Sequence, residues 1–75
     1  MSVSIEDIKR IVSLQLGVRE IGDDDRFLED LKAESADVMT IIAAIEAKYG
    51  VVVEESEIPE LQTPVDLYSL VKNRT

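Results

Sequence analysis

The sequence predicts an all-α fold: a small bundle of four helices, three substantial and one short, in a single domain spanning residues 1–75. Three observations point there. Apolar residues recur at helical spacing in three separate stretches. Each stretch is bracketed by residues that start or stop helices. The sole β-like run, Val51-Val52-Val53, has no second run to pair with, and three residues are too few for a stable sheet. At 75 residues and 45% hydrophobic content the chain can close one core. A chain so short buries only about 60% of the surface its unfolded form exposes, which leaves little room for a deep internal active site.

The first helix is expected over residues 4–16. Ser4 stands where an N-cap belongs, Asp7 follows in the first turn, and Ile5, Ile8, Ile11, Val12 and Leu16 form one face. Gly17 through Asp25, with a glycine at either end of its first six residues and three consecutive aspartates, breaks that pattern and reads as loop. Ile21, Phe27, Leu28 and Leu31 are the apolar anchors expected to hold this connection against the helices. The second helix is expected from Ser35 to Tyr49, closed by Gly50. Val38, Ile41, Ile42, Ile45 and Tyr49 form its stripe, Ala43, Ala44 and Ala47 fill small spaces, and Asp37 and Lys48 complement the dipole. Val51 to Val53 is an extended connection with some side chains inward. An acidic turn leads into a very short helix around Ser56 to Leu61. Thr63-Pro64-Val65-Asp66 starts the last helix, with Val65, Leu67, Leu70 and Val71 on its apolar face; it ends by Asn73, with Arg74 and Thr75 frayed.

Composition excludes several chemistries. Cysteine and histidine are both absent, which removes disulfides, thiolate metal sites and imidazole acid/base catalysis. A serine hydrolase is disfavoured on the same ground, because no histidine exists to serve as general base. Sixteen acidic against eight basic residues give a formal charge of -8, which favours positively charged partners and disfavours nucleic acid and anionic lipid. No run approaches the ~18 apolar residues of a membrane span. The reading is a cytoplasmic monomer with no membrane insertion. Any thiol chemistry must come from a group the sequence does not encode.

The segment Phe27-Leu28-Glu29-Asp30-Leu31-Lys32-Ala33-Glu34-Ser35-Ala36-Asp37 resembles the attachment region of the acyl carrier protein family, with its Phe-x-x-Asp-Leu approach to a modified serine. The resemblance continues through Ile41, Ile42, Ala44, Ile45, Glu46 and Tyr49, the acidic stretch before Leu61, and Thr63-x-x-Asp66, so it covers nearly the whole chain. It implies a carrier and not an enzyme. The cofactor would be 4'-phosphopantetheine from coenzyme A, joined covalently to Ser35 and bearing acyl intermediates as thioesters. It also implies as partners a phosphopantetheinyl transferase and acyl-transfer, ketosynthase or related enzymes with basic docking patches. The residues it suggests for partner recognition are Glu29, Asp30, Glu34, Ala36, Asp37, Met39, Thr40 and Glu46. No metal site is implied.

Each assignment has a plainer alternative. The Ser35 hydroxyl can serve simply as a helix cap, and the acidic residues as a solubilising face. Phe27, Leu31, Val38, Ile41, Ile42, Ile45, Tyr49, Leu61, Leu67, Leu70 and Val71 can line an acyl pocket or form ordinary core. Three departures from the family's pattern stand out: Glu34-Ser35-Ala36 replaces Asp-Ser-Leu, Lys32 occupies a position where glycine is common, and Thr40 is uncharged where an acid is frequent. They favour a specialised lipid or secondary-metabolite carrier over the general fatty-acid carrier. A peptidyl carrier and an unmodified interaction module are the competing functions.

Overall fold

The computed structural model describes residues 2–75 and contains α1 (Ile5–Leu16), α2 (Ser35–Tyr49), a 3₁₀ segment (Glu55–Glu60) and α3 (Pro64–Arg74), with no strand among the described residues. This is the all-α four-helix bundle expected from periodicity. None of its helices is long and apolar enough to cross a membrane.

Local chemistry sets the ends of each helix. At the start of α1 the Ser4 hydroxyl accepts the Asp7 N–H at 3.1 Å. Gly17 closes that helix in the left-handed region at φ 67, and Gly50 closes α2 at φ 66. Both positions favour glycine because a side chain there meets its own backbone. At α3 the Thr63 hydroxyl accepts the Asp66 N–H at 3.2 Å, and the Asp66 carboxylate accepts the Thr63 N–H at 3.1 Å. Two otherwise unpaired donors are satisfied by this reciprocal pair, and Pro64 occupies the first turn, where its missing N–H costs nothing.

Helix α1 packs against both α2 and α3. Its Ile8 and Val12 are fully buried beside Ile41, Ile42 and Ile45 of α2 and Leu67 and Val71 of α3. Each large aliphatic side chain in this cluster contributes roughly 1.5–3 kcal/mol through removal from water. Leu31, Tyr49 and Leu70 lie half-buried against the same core. The extended connection behaves as expected: Val51 is buried, Val53 is partly buried and Val52 faces solvent.

Several side chains depart from the expected arrangement. Ala43, Ala44 and Ala47 fill no internal space; they are exposed on the side of α2 opposite its buried isoleucines. Leu28 is 52% exposed and does not anchor the long connection, a task left to the buried Ile21 and Phe27. The 3₁₀ segment lies one residue earlier than the short helix read from the sequence. Arg74 is not frayed. Its guanidinium donates to the Val52 carbonyl at 2.6 Å and to the Glu57 carboxylate, tying the end of α3 to the 3₁₀ segment.

Three outcomes follow. Phe27→Ala removes a ring that is 1% exposed and should cost about 3–5 kcal/mol in chemical denaturation. Leu14→Ala, at a position 80% exposed, should stay within about 0.5 kcal/mol. The Arg74 hydrogen bond, then the Glu54 backbone N–H, lowers the Glu57 pKa in the folded protein. A carboxylate so lowered stabilises the fold fully above its unfolded value and loses that contribution as pH falls through the folded one. Stability should therefore decline below about pH 4.5, the ordinary glutamate value. Glu57→Gln should be less stable at neutral pH and show a shallower acid decline in urea midpoints across pH 2–7.

Candidate functional site

The candidate site is built by the eleven residues that lead from Phe27 into α2. The Phe27 ring is buried in the core, and its N–H donates to the Gln62 carbonyl at 2.8 Å, which fixes the loop to the segment before α3. From that anchor the chain turns on itself. Asp30 and Leu31 donate their N–H groups to the Arg26 carbonyl at 2.8 and 3.0 Å, and the Asp30 carboxylate accepts the Arg26 N–H at 2.9 Å. Acceptance of that backbone hydrogen bond is the main cause of the lowered Asp30 pKa, with the Arg26 charge adding to it. The aspartate of the Phe-x-x-Asp-Leu pattern thus has a mechanical role: it closes a turn that directs the chain toward α2.

Lys32 follows in the left-handed region at φ 58, the one non-glycine residue there among those described. A side chain in that conformation costs roughly 1–2 kcal/mol. The reversal lets Ala33 donate to the Phe27 carbonyl at 2.8 Å, which completes the loop. Glu34 is then the N-cap residue of α2 and Ser35 its first helical residue. The Asp37 carboxylate accepts the Glu34 N–H at 3.1 Å. Ser35 therefore stands one residue past the N-cap position and is exposed on the rim of the helix start. The positive end of a 15-residue helix dipole lies beside its hydroxyl.

A groove of about 240 Å³ opens next to Ser35, between the start of α2, the Phe27 loop and the 3₁₀ segment. Phe27, Val38, Leu61 and Ile58 give it an apolar wall, with Leu28 and Met39 at its sides. Of the residues read as acyl pocket or core, Phe27, Val38 and Leu61 border this groove. Ile41, Ile42, Ile45, Leu67 and Val71 are buried in the bundle, and Leu31, Tyr49 and Leu70 pack at its margin without bordering the groove. The Tyr49 hydroxyl is buried without a hydrogen-bond partner, and desolvation, followed by the charge of Asp7, raises its pKa. Sequence reasoning missed Leu28, Ile58 and Pro59 as groove residues. A six-residue 3₁₀ segment has too few turns to display a periodic face, so Ile58 and Pro59 carried no signal.

The residues read as a recognition surface fall into distinct environments. Glu29 and Asp30 pair with Arg26 at 2.8 and 3.5 Å. Asp37 is engaged in the cap, and the Glu46 carboxylate accepts the Val53 N–H at 3.0 Å, holding the extended connection. Glu34, Ala36, Met39 and Thr40 are exposed beside Ser35. No cluster of three or more His, Cys, Asp or Glu suited to a metal ion occurs among the described residues.

Residues 6–71 match the family model described as a phosphopantetheine attachment site. Proteins named acyl carrier protein from Chlamydia caviae and Chlamydia felis are each 34% identical over 71 residues, covering 92% of this chain and 92% and 91% of their own lengths. One from Helicobacter hepaticus is 31% identical over 71 residues, covering 92% of this chain and 93% of its own.

The strained turn supplies a test of the loop. Lys32→Gly relieves the left-handed penalty and adds a smaller loss of unfolded-chain entropy, so it should stabilise the protein by about 0.5–1 kcal/mol. Lys32→Val should destabilise it by about 1 kcal/mol or more, since branching at Cβ worsens the same clash. Urea denaturation of the two variants checks both signs.

Proposed function

This chain belongs to the acyl carrier protein family, and on that premise we propose that Ser35 is the residue that receives 4'-phosphopantetheine, from coenzyme A, and that acyl intermediates ride on it as thioesters. Family membership makes the protein a carrier of groups on covalent phosphopantetheine and not a catalyst. The observation that supports Ser35 is its placement: an exposed residue at the first helical position of α2, one step past the N-cap residue Glu34.

That position suits the product of the transfer. A phosphodiester on Ser35 adds a negative charge where the unpaired N–H groups and dipole of α2 are positive, a favourable arrangement at a helix start. The bound arm supplies a terminal thiol, the chemistry that a chain without cysteine lacks. Tethering keeps the cargo at high effective concentration for successive partner enzymes. The apolar groove beside Ser35 gives an acyl chain a place to withdraw from water between those encounters, with Phe27, Val38 and Leu61 as its wall.

We assign the loading step to a phosphopantetheinyl transferase and the later steps to acyl-transfer or ketosynthase-type enzymes. The net charge of -8 steers positively charged surfaces toward the carrier from a distance. The Glu34-Ser35-Ala36 sequence and the uncharged Thr40 favour a specialised lipid or secondary-metabolite route.

Intact-mass analysis after incubation with coenzyme A and a phosphopantetheinyl transferase tests the assignment. One phosphopantetheinyl group should be added to the wild-type protein and none to Ser35→Ala of unchanged helicity. A folded wild-type protein left unaltered by every transferase of its own source, or a modified Ser35→Ala, would contradict it.

A further inference from the structure

One wall of the groove beside Ser35 is held less firmly than the others. Phe27, Val38 and Leu61 border the groove from buried positions in the core. Ile58 and Pro59, on the remaining side, belong to the 3₁₀ segment Glu55–Glu60, which has no buried residue. Ile58 packs half-buried against the core, and Pro59 is exposed. The hydrogen bonds around this segment are local: the Glu57 N–H donates to the Glu54 carbonyl at 2.9 Å, the Leu61 N–H to the Ile58 carbonyl at 3.0 Å, and the Gln62 side-chain amide to the Pro59 carbonyl at 3.0 Å. None of them reaches a helix of the bundle.

Arg74, at the end of α3, supplies the missing tie. Its guanidinium donates through one nitrogen to the Glu57 carboxylate and through the other to the Val52 carbonyl, at 2.6 Å for the latter. The Glu57 carboxylate also accepts the Glu54 N–H at 2.8 Å, so one side chain closes the first turn of the segment and receives α3. Among the described residues, no other side chain of α1, α2 or α3 is hydrogen-bonded or ion-paired to residues 55–60. Glu57 directly precedes Ile58, which places the grip one residue from the groove wall. We infer that Arg74 is a positioning residue for the cargo: through Glu57 it latches the 3₁₀ segment as a strap along the groove, and an apolar acyl chain is sheltered only while that strap is in place. The inference rests on the proposed carrier function and on the groove as the place to which an acyl chain withdraws.

Magnitudes decide where such a contact matters. The Arg74 and Glu57 side chains are 36% and 26% exposed, and an ion pair so placed adds little to the stability of a whole domain. A short segment with no buried residue opens far more readily than the bundle unfolds, so the same modest contact changes how often the strap is open. Arginine suits the task because its planar fork spans two acceptors in a fixed geometry, whereas a lysine ammonium is a single point of charge on a flexible stem.

Thioester lability reads the strap directly. Wild type, Arg74→Ala, Arg74→Lys and the control Arg10→Ala, which breaks an exposed pair with Asp7 outside the groove, are loaded from octanoyl- and from acetyl-coenzyme A. Cleavage of each thioester by hydroxylamine at neutral pH is followed by intact mass. Arg74→Ala should lose its octanoyl group about threefold faster than wild type, the range of one exposed pair, and its acetyl group, too small to gain from the groove, at an unchanged rate. Arg74→Lys should fall between the two, and Arg10→Ala should match wild type. In the unloaded protein the Leu61 N–H, bonded to the Ile58 carbonyl, should exchange with solvent faster than the Val12 and Ile45 N–H groups, and faster still in Arg74→Ala. An octanoyl rate untouched by Arg74→Ala, an equal rise for acetyl, or Leu61 exchange that Arg74→Ala leaves unchanged would overturn the inference. Two further results differ from that pattern and remove its premises instead: a wild-type octanoyl thioester cleaved as fast as octanoyl-coenzyme A defeats the sheltering groove, and a wild type that accepts no group defeats the carrier assignment.

Discussion

The site depends on one constraint: the loop before α2 must reverse within five residues of a buried anchor. Phe27 fixes the start of that reversal twice, by its ring in the core and by its N–H on the Gln62 carbonyl. The Asp30 carboxylate closes the turn on the Arg26 N–H, and Lys32 accepts a left-handed backbone so that Ala33 can return to the Phe27 carbonyl. These contacts leave Ser35 at the first helical position, facing solvent, with the groove beside it. The loop has no regular structure, yet its ends are as well determined as those of a helix, because nearly every turn of it answers a backbone donor or acceptor.

The arrangement explains how a 75-residue chain without cysteine or histidine can take part in acyl chemistry. On the proposed attachment at Ser35, its own residues need only present a hydroxyl, receive a phosphate charge at a helix start and offer an apolar surface nearby. Acid/base groups and oxyanion donors are then left to partner enzymes, in keeping with an interior of packed hydrophobic side chains and no buried charged residue among the described residues. The distribution of charge follows the same division. Acids in the approach to Ser35 and along α2 hold turns, caps and connections, while the molecule as a whole remains strongly negative.

The helices and most of the core were legible in the sequence because periodic burial and capping are local signals. Ile8, Val12, Ile41, Ile45, Leu67 and Val71 lie where helical spacing put them, and the Thr63–Asp66 pair caps α3 as its spacing implied. The errors arose where local signals gave no orientation. Helix α2 is apolar around most of its circumference, so its alanines could be assigned to the core or the surface, and they lie at the surface. Ser35 carried two readings in sequence, cap or attachment point, and the position of the cap itself, Glu34, is set by the backbone one step earlier. Arg74 meets Glu57 across 17 positions, a contact no periodicity encodes. The positive φ of Lys32 was raised as a question by the residue alone and answered by the backbone.

Peptide mapping of the protein isolated from its native cells reads the chemical state of the serine that this loop presents. The peptide containing Ser35 should bear a phosphopantetheinyl group, free or acylated. A protein that is active in its cells while Ser35 stays unaltered under every growth condition would contradict it.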